Sequence, residues 1–94
     1  MKIDLEQEIQ TFEGEAITLR NKALTVRRAF GEACLSQEQG DRAEDKERGY
    51  KLAKRLLVEE VDSFDVDDLA FIKKRCGSLY TPYVYGWLCE RIFS

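Results

Sequence analysis

The stretch Asp65-Val66-Asp67-Asp68-Leu69-Ala70-Phe71-Ile72-Lys73-Lys74-Arg75-Cys76-Gly77-Ser78-Leu79-Tyr80-Thr81-Pro82-Tyr83-Val84 decides the fold class. Carboxylates crowd its start and cations follow, so a helix opening at Asp65 has both charges placed favourably along its macrodipole, with Gly77 as the expected stop. Thr81-Pro82 then opens a second helix, because a threonine accepts free first-turn N–H groups and proline at the first helical position gives up an N–H that has no partner there. On the first helix Leu69, Ile72 and Cys76 share an inner face and Phe71 falls opposite, between Lys74 and Arg75. On the second, Val84, Tyr85, Leu88 and Ile92 come together.

Working back toward the N-terminus, Val26, Ala29, Phe30 and Ala33 recur at the spacing of one helical face, with Thr25 as N-cap and Arg27 and Arg28 facing outward. A further helix over about residues 42–58 buries Tyr50, Ala53, Leu56 and Leu57, with Glu44/Arg48 and Glu47/Lys51 as i,i+4 pairs on its wet side. The first segment reads two ways: Ile3, Leu5 and Ile9 alternate as in a strand, while Leu5, Ile9, Phe12 and Ala16 also fit a helix. Gly14 within Glu13-Gly14-Glu15 costs about 1 kcal/mol in a helix and is natural in a turn, which favours an irregular β-hairpin. Loops are expected at residues 13–15, 36–41, 60–65 and 77–81. The expectation is one mostly α domain over residues 1–94: four helices in a core over 24–94, with a short β-hairpin arm within 1–19.

Ninety-four residues, 44% hydrophobic and 35% charged, suffice for a small core and a radius of gyration near 12 Å. No run approaches the ~18 apolar residues of a membrane span, no charged-then-apolar leader is present, and aliphatic content is too high for a disordered chain. The net charge of −3 is a mosaic: −4 over residues 1–19, +3 over 20–35, +1 over 36–58, −6 over 59–68 and +3 over 69–94. Such a chain lacks the overall field of a dedicated nucleic-acid binder. Three cysteines without a leader fit a reducing cytosol.

Residues able to carry chemistry are few. The acidic residues Glu59, Glu60, Asp62, Asp65, Asp67 and Asp68 have neither the alternation nor the mid-loop glycine of a calcium loop, and a capped helix start explains them better. No histidine is present to activate a thiol, and Cys34, Cys76 and Cys89 fall on or beside inner faces, where cysteine acts as a small hydrophobe. No metal, cofactor or catalytic group is expected. Arg20, Lys22, Arg27 and Arg28, joined by Lys73 and Arg75, form a candidate phosphate-tracking set, although Glu32 lies four residues from Arg28 and the Lys73–Arg75 group also suits a helix C-terminus. Five of the ten aromatics lie in the last fifteen positions. With Val84, Leu88 and Ile92 inside, Tyr83 and Trp87 fall one turn apart on a flank, the usual place for interface anchors; Phe71 and Lys74 extend that candidate face. The competing reading is that Trp87 completes the core.

Leu24-Thr25-Val26, Tyr50-Lys51-Leu52-Ala53, the stretch from Asp65 to Gly77, and Tyr80-Thr81-Pro82-Tyr83-Val84-Tyr85-Gly86 together resemble a group of small uncharacterised bacteriophage and prophage proteins, over about residues 24–92. Cys76, Tyr85 and Trp87 stand where aliphatic residues are expected in that group. The resemblance implies a bacterial host cytosol during infection, and a protein partner of host or phage origin. The function expected is a non-enzymatic interaction module, an assembly factor or an inhibitor of a host factor, with self-association as a further partner state. The alternative is a small DNA- or RNA-binding regulator.

Overall fold

The computed structural model describes residues 3–93, which form a two-stranded antiparallel hairpin, β1 (Thr18–Leu19) and β2 (Lys22–Ala23), followed by four helices, α1 (Val26–Leu35), α2 (Ala43–Leu57), α3 (Val66–Leu79) and α4 (Pro82–Arg91). The described residues are thus mostly α, 54% helical, with a short hairpin near the N-terminus. Its radius of gyration is 12.7 Å.

The N-terminus of α1 organises everything before it. Four backbone N–H groups at a helix start have no partner within the helix. Here Val26 N donates to the Gln7 carbonyl and Arg27 N to the Leu5 carbonyl, each at 2.9 Å, while Arg28 N reaches Thr25 Oγ1 at 3.2 Å and Ala29 N the Thr25 carbonyl. The N-terminal segment is therefore the cap of α1, not an arm. Ile9, Leu24 and Ile17 close a ring of backbone bonds, Ile9 N to Leu24 O, Leu24 N to Ile17 O and Ile17 N to Ile9 O, at 2.7–2.9 Å. Ile3, Leu5 and Ile9 are consequently buried core residues. The expected hairpin exists but is displaced: its turn is Arg20-Asn21, both at positive φ, rather than Gly14. Gly14 turns a separate loop, closed by the isolated bridge Gln10–Ala16. Of the expected domain span, residues 1, 2 and 94 lie outside the described residues.

Two arginines read from sequence as outward-facing are internal clamps. Arg27 Nη1 donates to the Leu56 and Val61 carbonyls, at 2.8 and 3.1 Å, and its Nε to Glu6. It thus places a cation on the Leu56 carbonyl in the last turn of α2 and ties that helix end to the Val61 carbonyl in the loop that follows. Arg28 donates to the Leu19, Lys22 and Ala23 carbonyls and pins the hairpin onto α1. Apolar periodicity reports which face is wet but not where a five-donor fork can find carbonyls, which is why both were misplaced.

The seam between α1 and α2 corrects a second expectation. Tyr50 and Leu57 are exposed, and the buried stripe of α2 is Gly49, Leu52, Ala53 and Leu56. The cause is Gly49: a Cβ there would stand 2.3 Å from the Cys34 carbonyl oxygen, so α2 seats its side-chain-free edge directly on the backbone of α1. That rotates the apolar stripe by about one residue from the one expected.

Helix α3 begins as expected, with Asp65 accepting from Asp68 N at 2.8 Å, but it does not stop at Gly77. It continues to Leu79, and Gly77 instead faces the Tyr85 ring, 3.4 Å from where its Cβ would be. Its inner face holds Ile72, Cys76 and, unexpectedly, Arg75. At 3% exposure, Arg75 grips Asp41 in the α1–α2 loop with both Nη atoms, at 2.9 and 2.7 Å. Phe71 lies not opposite but beside it, between the Arg75 and Arg48 guanidiniums at 4.9 and 5.2 Å. Tyr80 ties the α3–α4 junction to α1, its hydroxyl donating to the Ala29 carbonyl at 2.6 Å. In α4 the expected inner residues Val84, Leu88 and Ile92 are buried, and Tyr85 is half-buried.

Candidate functional site

The inner stripe of α4 leaves a second stripe outside, Tyr83, Gly86, Trp87, Glu90 and Arg91, at i, i+3, i+4, i+7 and i+8. The loop turned by Gly14 stands against it. Thr11 holds that loop: its carbonyl accepts from Gly14 N at 3.0 Å, its N–H donates to the Glu15 carbonyl at 2.8 Å and its hydroxyl accepts from Glu15 N. Gly14 sits at φ +85°, a left-handed conformation that glycine adopts without strain. The loop thereby presents Phe12, whose N–H donates to the Tyr83 hydroxyl and whose ring meets the Tyr83 ring at 4.6 Å between centroids.

Between loop and helix lies a cleft of about 310 Å³, lined by Gln10, Thr11, Phe12, Pro82, Tyr83, Gly86, Trp87, Glu90 and Arg91. Phe12 is 92% exposed and Tyr83 38%, while Trp87 is half-buried with the Arg91 guanidinium 5.5 Å from its ring. Gly86 leaves the wall between Tyr83 and Trp87 bare, since a Cβ there would meet nothing within 4 Å. Three aromatic rings around one concavity, with polar groups at its rim, suit an apolar anchor delivered by a partner. Glu90 and Arg91 supply both charges at one end.

The structure therefore brings Tyr83 and Trp87 together as expected and adds Phe12, which sequence reasoning placed within an apolar repeat. The available signal was its neighbour: an aromatic directly before Glu13-Gly14-Glu15 rides on a turn, where burial is unusual. Phe71 does not join the cleft; it is half-buried against α2, with Gly49 close to its ring, and Lys74 is exposed elsewhere on α3. Of the basic set, Arg27, Arg28 and Arg75 are held by internal acceptors and Arg20 is ion-paired with Glu32, the partner that sequence spacing had offered to Arg28. Lys22 and Lys73 remain exposed, Lys73 lying 5.9 Å from the Phe93 ring. Glu47–Lys51 forms as expected, but Arg48 turns to Asp68 of α3, which Arg55 also engages.

Titratable groups follow the same logic. The Arg75 guanidinium, bonded to both Asp41 oxygens, holds that carboxyl below its usual range. Burial pushes the Cys34 thiol up to about 12 and drives Cys76 and the Tyr80 phenol up as well. These are protonated groups at neutral pH, without the thiolate character that nucleophilic chemistry requires. Among the described residues no group of three or more His, Cys, Asp or Glu side chains is arranged to hold a metal ion, and no helix is long and apolar enough to cross a membrane. Comparison of the chain with protein-family models, with curated proteins and with solved structures finds no match.

Proposed function

We propose that this protein is a non-enzymatic interaction module that receives an apolar side chain of a protein partner in the cleft between the Phe12 loop and α4. The supporting observation is Phe12 itself: 92% exposed, yet held in place by a backbone bond and ring contact to Tyr83. An exposed aromatic does little for folding, and one fixed in advance loses little conformational freedom on binding, which is how interface anchors become strong. The role as an assembly factor or host-factor inhibitor in a phage-infected cell follows from the sequence resemblance and is part of this proposal. Nucleic-acid binding is the less favoured reading, because Arg27, Arg28 and Arg75 are committed to internal acceptors and Arg20 is ion-paired with Glu32.

Site-specific photocrosslinking tests the proposal. A photoreactive phenylalanine analogue at position 12 should yield a discrete protein adduct in bacterial cells, lost when Trp87→Ala is added to a still-folded chain. The same adduct arising from an analogue at Lys51, or one indifferent to Trp87, counts against the cleft.

A further inference from the structure

We propose that the outer face of α2 binds a second copy of this chain, antiparallel to the first, about a two-fold axis near Ala53 and Lys54. This face is separate from the Phe12 cleft, so the inference stands apart from the proposed function. Leu35, Tyr50, Leu57 and Val58 are all exposed, Tyr50 at 62% and Val58 at 71%. With Ala53 and Lys54 they line a shallow depression of about 230 Å³ across the α1–α2 seam. Leu57 lies over Gly31, its Cγ 2.6 Å from where a Cβ would sit, so the apolar surface is continuous between the helices.

Charge selects the occupant. Lys46, one turn before Tyr50, and Glu59 and Glu60, just beyond Val58, are exposed, and none makes an ion pair within the chain among the described residues. Tyr50 and Leu57 are two turns apart on one line, about 10 Å along the axis. An antiparallel copy places each Tyr50 against the other's Leu57 and brings each Lys46 to the other's Glu59 and Glu60. A parallel copy sets like charges against like. The two-fold pairing is closed and self-complementary, so it stops at two copies. The exposed apolar surface covers a few hundred Å², short of the roughly 800 Å² per partner of a standard interface. The two Lys54 ammonium groups meet near the axis and oppose it. The dimer is therefore weak.

Sedimentation velocity on the full chain from about 5 to about 500 µM should show a reversible monomer–dimer equilibrium. Tyr50→Ser, at an exposed position, should weaken association about tenfold or more, and Val58→Ser provides the same readout should the first variant fold poorly. Lys46→Glu should weaken it several-fold. Adding Glu59→Lys and Glu60→Lys to Lys46→Glu should restore the wild-type constant, and Lys54→Gln should tighten it. A chain monomeric throughout that range overturns the proposal, as does dimerisation unaffected by Tyr50→Ser or a charge exchange that fails to rescue.

Discussion

Each of the four helices carries one glycine, Gly31, Gly49, Gly77 and Gly86 in α1 to α4, and alanine substitution at these positions separates helix propensity from packing. Propensity alone favours alanine by about 1 kcal/mol at every one of them. At Gly49 the new methyl would sit 2.3 Å from the Cys34 carbonyl oxygen, against the 3.4–4 Å of ordinary contact, so α2 must withdraw from α1 by about 1 Å. That displacement loosens Leu52, Ala53 and Leu56, all at most 3% exposed. Overpacking of this kind costs about 1–3 kcal/mol, and here it acts on backbone that cannot swing aside. A clash with fixed backbone belongs at the upper end of that range, about 3 kcal/mol, so after the propensity gain of about 1 kcal/mol Gly49→Ala is expected to lose about 2 kcal/mol net. At Gly31 the clash at 2.6 Å is with the partly exposed Leu57 side chain, which can rotate, so the loss is smaller. At Gly86 a methyl meets nothing within 4 Å, and Gly86→Ala should stabilise by about 0.5–1 kcal/mol. Urea melts followed by far-UV circular dichroism resolve such differences. A Gly49→Ala chain as stable as the wild type, or a Gly86→Ala chain equally destabilised, would refute the seating of α2 on the α1 backbone.

Three further perturbations test other parts of the fold. Ile72 is 0% exposed, and Ile72→Ala should cost about 2–4 kcal/mol in the same melts. Thr25→Ala removes the side-chain cap on Arg28 N and should cost about 1 kcal/mol, whereas Thr81→Ala, at a position without a side-chain cap bond, should cost clearly less. The Asp41 carboxyl is held below its usual range by Arg75, so its charged form is favoured by folding. That stabilisation is complete above the ordinary carboxyl value of about 4 and is lost as pH falls through the folded one. The stability difference between wild type and Asp41→Asn should accordingly shrink on acidification, and a difference constant with pH would show that Asp41 is not ion-paired.

How much of this was legible in the sequence depends on what kind of signal each residue gives. Helix starts announce themselves through local chemistry, and Thr25, Asp65 and Thr81-Pro82 all mark the helices that form. The inner residues Val26, Phe30, Ile72 and Leu88 were equally readable, because apolar spacing maps directly onto burial. Glycine misled twice: Gly49 packs without contributing to any apolar count, which shifted the expected face of α2, and Gly77 makes room for Tyr85 instead of ending α3. Arginine misled three times, since Arg27, Arg28 and Arg75 satisfy acceptors 5 to 34 residues away, which no periodicity encodes. For the cleft, half the wall was legible: Tyr83 and Trp87 stand one turn apart on a single helix. Phe12 joins them through a contact spanning 71 residues, and only the fold brings it there.

The most direct test of the cleft is the affinity of the partner captured at position 12 for wild-type and Phe12→Ala chains, with thermal melting measured in parallel. The ring removed is 92% exposed and the backbone bond to Tyr83 is retained, so folding should be nearly unchanged. Binding should weaken by a factor of about 30 or more, the loss of about 2 kcal/mol that accompanies truncation of an interface anchor. An unchanged affinity, or a loss matched by an equal fall in melting temperature, would contradict the assignment of this cleft as the partner site.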